Sequence, residues 1–247
     1  MGSLINFLGA CQPDWQFYKG FKTVCTALDA VIAGDVKRLI ITQPPRSSKT
    51  TLANHFAAGY LGEHPAKYII AATHSQDLAT QNGRAVRDII DSQPYKELYS
   101  TNITGNAAGY WYTDQDGSYK GIGVASMIAG AAADVLLIDD PQEFGRYSIL
   151  TSDNVYDWYK YSFQCRLRPD GAIVIIASRV DENDLVGRCL AEGGWQLIKM
   201  PALKDGESFW PEQWPVEELL RIENEVGADM WNTCWQQNPT TIKKKLL

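Results

Sequence analysis

Four short apolar runs constrain this chain more than any other feature: Leu39-Ile40-Ile41, Ile69-Ile70-Ala71-Ala72, Val135-Leu136-Leu137-Ile138 and Ala172-Ile173-Val174-Ile175-Ile176. They are continuous rather than alternating, and a strand with apolar residues on both faces must be covered on both. Stretches of helical spacing lie between them. Phe17, Phe21, Val24, Leu28 and Val31 predict a helix over 14–33 closed by Gly34. Leu52, Phe56 and Tyr60 form one stripe over 50–62, and further helices are expected over 75–90, around Val155, Trp158 and Tyr159, and over 215–226. Residues 93–121 show no clear period and read as irregular. Strands alternating with helices predict an α/β fold with a parallel, doubly wound sheet. The expected division is a core of 1–193 and a small lid or linker region of 194–247, rich in Trp and Pro.

Composition removes several classes. At 247 residues, 45% hydrophobic and 21% charged, the chain can bury a sizeable core and is not disordered. A net charge of −6 means that nucleic acid must be met by a local basic patch. No apolar run approaches the roughly 20 residues of a membrane helix, and no membrane partner is expected. Cys11, Cys25, Cys165, Cys189 and Cys234 are scattered with no C-x-x-C pair, which argues against a disulfide framework or zinc ribbon and fits a reducing compartment. His55, His64 and His74 have no metal-ligand spacing.

The segment Gln43-Pro44-Pro45-Arg46-Ser47-Ser48-Lys49-Thr50 sits between a buried strand and a helix. A phosphate-binding P-loop needs that placement: backbone N–H groups and a helix N-terminus face the phosphates, Lys neutralises them, and a Thr hydroxyl reaches Mg²⁺. Both motif glycines are missing, with Gln43 and Ser48 in their places, so alone the segment also reads as a polar strand-to-helix turn. Downstream, Val135-Leu136-Leu137-Ile138 ends in Asp139-Asp140. An apolar strand ending in carboxylates is the form of a Walker B element, where one acid holds Mg²⁺ and its neighbour orients the attacking water. An Asp-Asp-Pro turn is the alternative for these residues alone. The two elements in this order point to a P-loop ATPase of the additional-strand catalytic-acid type, with Thr42's strand beside those ending at Asp139 and Ser178.

From about Thr42 to Pro239 the sequence resembles the ATPase domain of the large terminase subunit, the DNA-packaging motor of tailed bacteriophages. The loop is similar to the terminase variant of Walker A, and Ile138-Asp139-Asp140-Pro141 to its Walker B. Ala177-Ser178-Arg179, with Asp184-Leu185 and Gly187-Arg188, resembles the coupling motif, and Met200-Pro201-Ala202, Trp210-Pro211 and Gln236-Gln237-Asn238-Pro239 also fit.

The resemblance implies ATP and Mg²⁺ as cofactors, with nucleotide held by Gln43, Arg46, Ser47, Ser48, Lys49, Thr50 and Thr51. It implies Thr50 and Asp139 for the metal, catalysis by Asp140, Lys49 and Arg46, and coupling through Ser178 and Arg179. Double-stranded DNA, a portal protein, a small terminase subunit and a homo-oligomeric ring are the implied partners, in the host cytoplasm. The family continues into an RNase H-like nuclease, and no nuclease activity is expected of this chain.

Three positions depart from the pattern. Ser48 replaces Gly, Ser178 replaces Thr, and Ala131-Ala132 stand where relatives often carry Arg-Gly. Arg166 and Arg168 are the remaining candidates for an arginine reaching a neighbour's nucleotide, with surface charge as the alternative. Gln16, flanked by Trp15 and Phe17, reads as an adenine contact or as helix packing; the late tryptophans read as base-stacking or as packing. Lys243-Lys244-Lys245 reads as a solvated tail or linker start. Another P-loop DNA motor of helicase type, or a degenerate nucleotide-binding scaffold, remains open beside the terminase reading.

Overall fold

The computed structural model describes residues 3–105, 107–128, 130–142 and 150–239. The lysine run at 243–245 lies outside the described residues. In chain order the elements are α1 (Leu4–Cys11), α2 (Phe21–Ala33), β1 (Arg38–Thr42), α3 (Lys49–Glu63), β2 (Tyr68–Thr73), α4 (Gln76–Asp91), α5 (Gln93–Leu98), β3 (Ile103–Thr104), β4 (Tyr110–Thr113), β5 (Ser118–Gly123) and β6 (Ala133–Asp139). Then follow α6 (Ser152–Trp158), β7 (Leu167–Ala177), α7 (Leu185–Glu192), β8 (Gln196–Lys199), a short hairpin of β9 (Leu203–Lys204) and β10 (Glu207–Ser208), α8 (Val216–Val226) and α9 (Ala228–Met230).

One eight-stranded sheet has the order β3-β4-β5-β2-β6-β7-β1-β8. Every pairing from β5 to β8 is parallel, and β4 joins antiparallel to both β3 and β5. The apolar runs are continuous because each strand feeds two cores. Leu39, Ile41, Val135, Leu137, Val174 and Ile176 pack toward α1 to α5, whereas Ile40, Leu136, Ile138, Ile173 and Ile175 pack toward α6 and α7. This is the doubly wound, mainly parallel arrangement expected of a P-loop fold.

Five expectations are corrected. Thr42's strand does not touch the strand ending at Asp139: β7 lies between them, pairing with β1 on one side and β6 on the other. The sheet does not stop at 193, because β8 pairs in parallel with β1. The first predicted helix starts at Phe21, not at 14. Gly20 takes a left-handed φ of 86°, and a Cβ there would stand 2.7 Å from the Met200 side chain, so the chain turns at this point. The stretch 93–121 contains α5 and three strands, whose alternation is hidden because β4 reads Tyr-Trp-Tyr-Thr, with aromatics on both faces.

The stripe expected over 50–62 is instead a helix buried on nearly every side, since α1, which no sequence signal announced, packs over it at Leu4 and Phe7. Among the described residues no helix is long and apolar enough to cross a membrane.

Candidate nucleotide site

The parallel strands bring their carboxyl ends to one edge of the sheet, and the predicted site residues gather there. Between β1 and α3 the loop turns tightly: Arg46 (φ 55°) and Ser48 (φ 64°) both take left-handed backbone, which costs a non-glycine residue roughly 1–2 kcal/mol. The Ser47 hydroxyl donates to the Pro44 carbonyl at 2.7 Å and pins the turn. Ser48 caps α3 without a side-chain hydrogen bond, which leaves the first-turn N–H groups of Lys49, Thr50 and Thr51 to face an anion.

Lys49 is buried, donates to the Pro44 carbonyl at 3.0 Å and lies 3.3 Å from Asp140. Asp140 takes φ 41° just beyond β6, and its carboxylate accepts the Ser178 N–H at 2.7 Å. The Ser178 hydroxyl donates to the Gln43 carbonyl at 2.9 Å, so one side chain ties the tip of β7 to the loop. The Gln43 side-chain amide donates to the buried Tyr18 hydroxyl, a contact that no spacing in the sequence foretold.

Asp139 is different in kind. It is 3% exposed, and neither carboxylate oxygen makes a close hydrogen bond with the protein; the Thr50 hydroxyl and the Asn82 carboxamide face it at longer range. Burial, then the charge of Asp140, raises its pKa to about 7, and the Thr50 hydroxyl, Lys49 and Asn82 draw it down only in part. A buried, loosely held carboxylate beside a threonine hydroxyl is an oxygen donor set for a hard divalent cation. Mg²⁺ fits these residues.

Arg179 is no solvent-facing arginine. Its Nε donates to both Asp184 oxygens at 3.1 and 2.9 Å, and its backbone N–H donates to Gln237 Oε1 at 3.0 Å. Asp184 also caps α7 by accepting the Gly187 N–H at 2.8 Å. Arg179 therefore braces the end of β7 against α7 and the late segment.

Beside these residues opens a cleft of about 620 Å³, lined by Pro45, Arg46, Lys49, Asp140 and Ser178 on the loop side. Val226, Met230, Cys234 and Trp235 supply an apolar wall. That size suits a nucleotide. The late tryptophans pack: Trp210, Trp231 and Trp235 are buried, with the last two rings stacked at 5.9 Å.

Neither Arg166 nor Arg168 reaches this edge from within the chain. Arg168 lies at the amino-terminal end of β7, 3.4 Å from Asp134 and 4.1 Å over the Tyr68 ring, and Arg166 donates to the Ser162 carbonyl. Trp15 and Phe17 pack with Phe21, leaving Gln16 exposed.

Among solved structures, the HK97 bacteriophage large terminase superposes with a TM-score of 0.64 at 13% identity, over 96% of this chain and 55% of that one. The chain thus spans about half the length of that protein. The chain has the fold of a phage large terminase ATPase domain. The ATPase domain of the Thermus phage P74-26 large terminase agrees, with a TM-score of 0.58 at 15% identity over 84% of this chain and 90% of that domain. The large terminase of a thermophilic bacteriophage, solved in complex with ATP-γ-S, gives 0.55 at 9% identity over 88% of this chain and 51% of that one. No family model matches the sequence, and no curated protein does. The terminase fold is legible here through its architecture, not through overall sequence identity.

Proposed function

We propose that this chain binds and hydrolyses ATP to drive double-stranded viral DNA into a procapsid, as the ATPase part of a large terminase in the host cytoplasm. The observation that carries the reading is the convergence of Lys49, Asp139 and Asp140 at the carboxyl edge of the sheet, beside the uncapped start of α3. The thermophilic phage terminase, solved with ATP-γ-S and with ADP, supports nucleotide at such a site.

On this reading the N–H groups of residues 49–51 and the Lys49 ammonium bind the phosphates, with Arg46 at the rim of the cleft. Thr50 and Asp139 would hold Mg²⁺, which when bound would supply charge neutralisation to the phosphoryl oxygens. Lys49 exchanges its contact with Asp140 for the phosphates, and the freed Asp140 carboxylate orients a water in line with the γ-phosphate and takes its proton. Ser178, bonded to Asp140 and Gln43, senses that exchange, and Arg179 passes it through Asp184 and Gln237 to the late segment.

A portal protein, a small terminase subunit and further copies in a ring complete the assembly on this reading. The loop turns tightly through left-handed Arg46 and Ser48 although neither motif glycine is present, which favours a working site over a vestigial scaffold. The test is MgATP turnover by the full chain with and without duplex DNA, alone and with portal-bearing procapsids. Turnover that DNA or procapsids stimulate is expected; absence of ATP turnover in every arm contradicts the proposal.

A further inference from the structure

Two strand ends next to the nucleotide loop hold more unpaired polar atoms than a folded interior normally tolerates. β2 and β6 are parallel neighbours, with Ala72 opposite Ile138, so Thr73 and Asp139 leave the ladder side by side. Strand alternation turns both toward α3 and α4: Ile69, Val135 and Leu137 share their parity and pack in that core. Thr73 is 1% exposed, and its hydroxyl makes no hydrogen bond, while neither Asp139 oxygen has a close one. A buried threonine hydroxyl ordinarily finds a carbonyl nearby. This one does not. Asn82, 8% exposed on α4, brings a carboxamide close enough to Asp139 to lower its pKa.

We propose that Thr73 and Asn82 are positioning residues for the divalent cation of this site, Thr73 acting through its bound waters and Asn82 through Asp139. The inference rests on the nucleotide reading above and deepens it. Mg²⁺ sheds water reluctantly and keeps several of its six oxygens as water, each with protons to place. Asp139 and the Thr73 hydroxyl are acceptors for those protons, Asn82 steadies Asp139 by donating its amide N–H, and Thr50 offers its hydroxyl to the metal. Nothing in the sequence motif marks residues 73 and 82; the parallel register and the crossing of α4 over β2 bring them in. Groups of this kind around a metal typically set its affinity within a factor of 10–100.

The experiment measures ATP affinity of the full chain by displacement of a fluorescent ATP analogue, titrating Mg²⁺ from EDTA upward. Thr73→Val is nearly isosteric and removes only the hydroxyl. It is expected to raise the Mg²⁺ concentration needed for half-maximal binding by about tenfold, leave the affinity in EDTA unchanged, and leave the apo melting temperature unchanged or higher. Thr73→Ser should restore the wild-type Mg²⁺ dependence. Asn82→Ala, on a helix and in a different element, should shift it in the same direction. Wild-type Mg²⁺ dependence in both Thr73→Val and Asn82→Ala overturns the proposal while leaving nucleotide binding intact. An equal loss in EDTA and in Mg²⁺ also overturns it, since the residues would then serve the nucleotide or the fold. Wild-type protein that binds no ATP at any Mg²⁺ concentration overturns the nucleotide reading itself, and this proposal with it.

Discussion

Strand β6 carries a buried aspartate near each end, and the protein treats the two in opposite ways. Asp134, at the amino end, accepts the Lys67 ammonium at 2.9 Å, the Tyr68 N–H at 2.9 Å and Arg168 at 3.4 Å. Asp139, five positions along at the carboxyl end, has no close hydrogen bond to the protein, only the Thr50 hydroxyl and the Asn82 carboxamide at longer range. The first carboxylate is satisfied and serves the fold. The second is not satisfied in the same way. The same division extends to the neighbouring strands. Left-handed Arg46, Ser48 and Asp140, the Lys49–Asp140 pair and the unpaired polar atoms of Thr73 and Asp139 gather at the carboxyl edge, and the closed ion pairs of Asp134 lie at the other. Asp116 and Asp170 are left-handed at the opposite edge too, so the contrast lies in the acids: the carboxyl edge sets its left-handed turns beside acids that no full set of partners satisfies.

Substitutions at the two edges should therefore separate activity from stability. The largest effect belongs to Asp140→Asn. It should keep ATP affinity and lose on the order of 10²-fold or more in single-turnover hydrolysis, as removal of a general base does. Asp134→Ala at the opposite edge should leave turnover per folded molecule unchanged and cost about 3 kcal/mol in denaturant unfolding, because the Tyr68 N–H and two cations lose their acceptor. Arg168→Ala, read in the same assays, should weaken the fold slightly and leave turnover alone, in assembled motors too. A large loss of turnover there would make Arg168 a finger reaching a neighbour and would break the contrast between the edges.

Much of the working edge was legible in the sequence because its chemistry is linear. The strand, loop, lysine and helix are consecutive, and so are the apolar strand and its two acids. Unalternated runs pointed to the parallel sheet for a physical reason, two cores sharing each strand. What the sequence hid was contact between distant segments. Thr73, Asn82 and Tyr18 enter the site through register and packing, and their spacing carries no signal. The order of β1, β7 and β6 was hidden likewise, because adjacency of parallel strands depends on crossover connections, not on strand sequence. The short strands β3 and β4 were missed for a third reason: four or fewer residues, with aromatics on both faces of β4, carry no readable period.

A pH experiment sharpens the comparison. Burial holds the Asp139 carboxyl at about 7, so in metal-free protein the folded state binds a proton more tightly than the unfolded one. Stability from this group is present at low pH and is lost as pH rises toward 7. In EDTA, Asp139→Asn should melt above wild type by ~5 °C at pH 8, with the gap narrowing by pH 5. A gap that is constant with pH would mean that Asp139 is satisfied like Asp134. The smallest effect belongs to Ser48→Gly. Releasing its left-handed backbone should stabilise the chain by about 1 kcal/mol in denaturant unfolding and leave ATP affinity unchanged or tighter.

The most direct test of the account is the affinity of the full chain for ATP at saturating Mg²⁺, measured for wild type and for Lys49→Ala by isothermal titration. Lys49 is a buried cation at the carboxyl edge that both the loop and the acid pair address, through Pro44 and Asp140. Its loss should weaken ATP binding by about 10²-fold, the scale of one buried charge-assisted contact. Equal affinity in the two proteins would place the nucleotide elsewhere and contradict the site described for this edge.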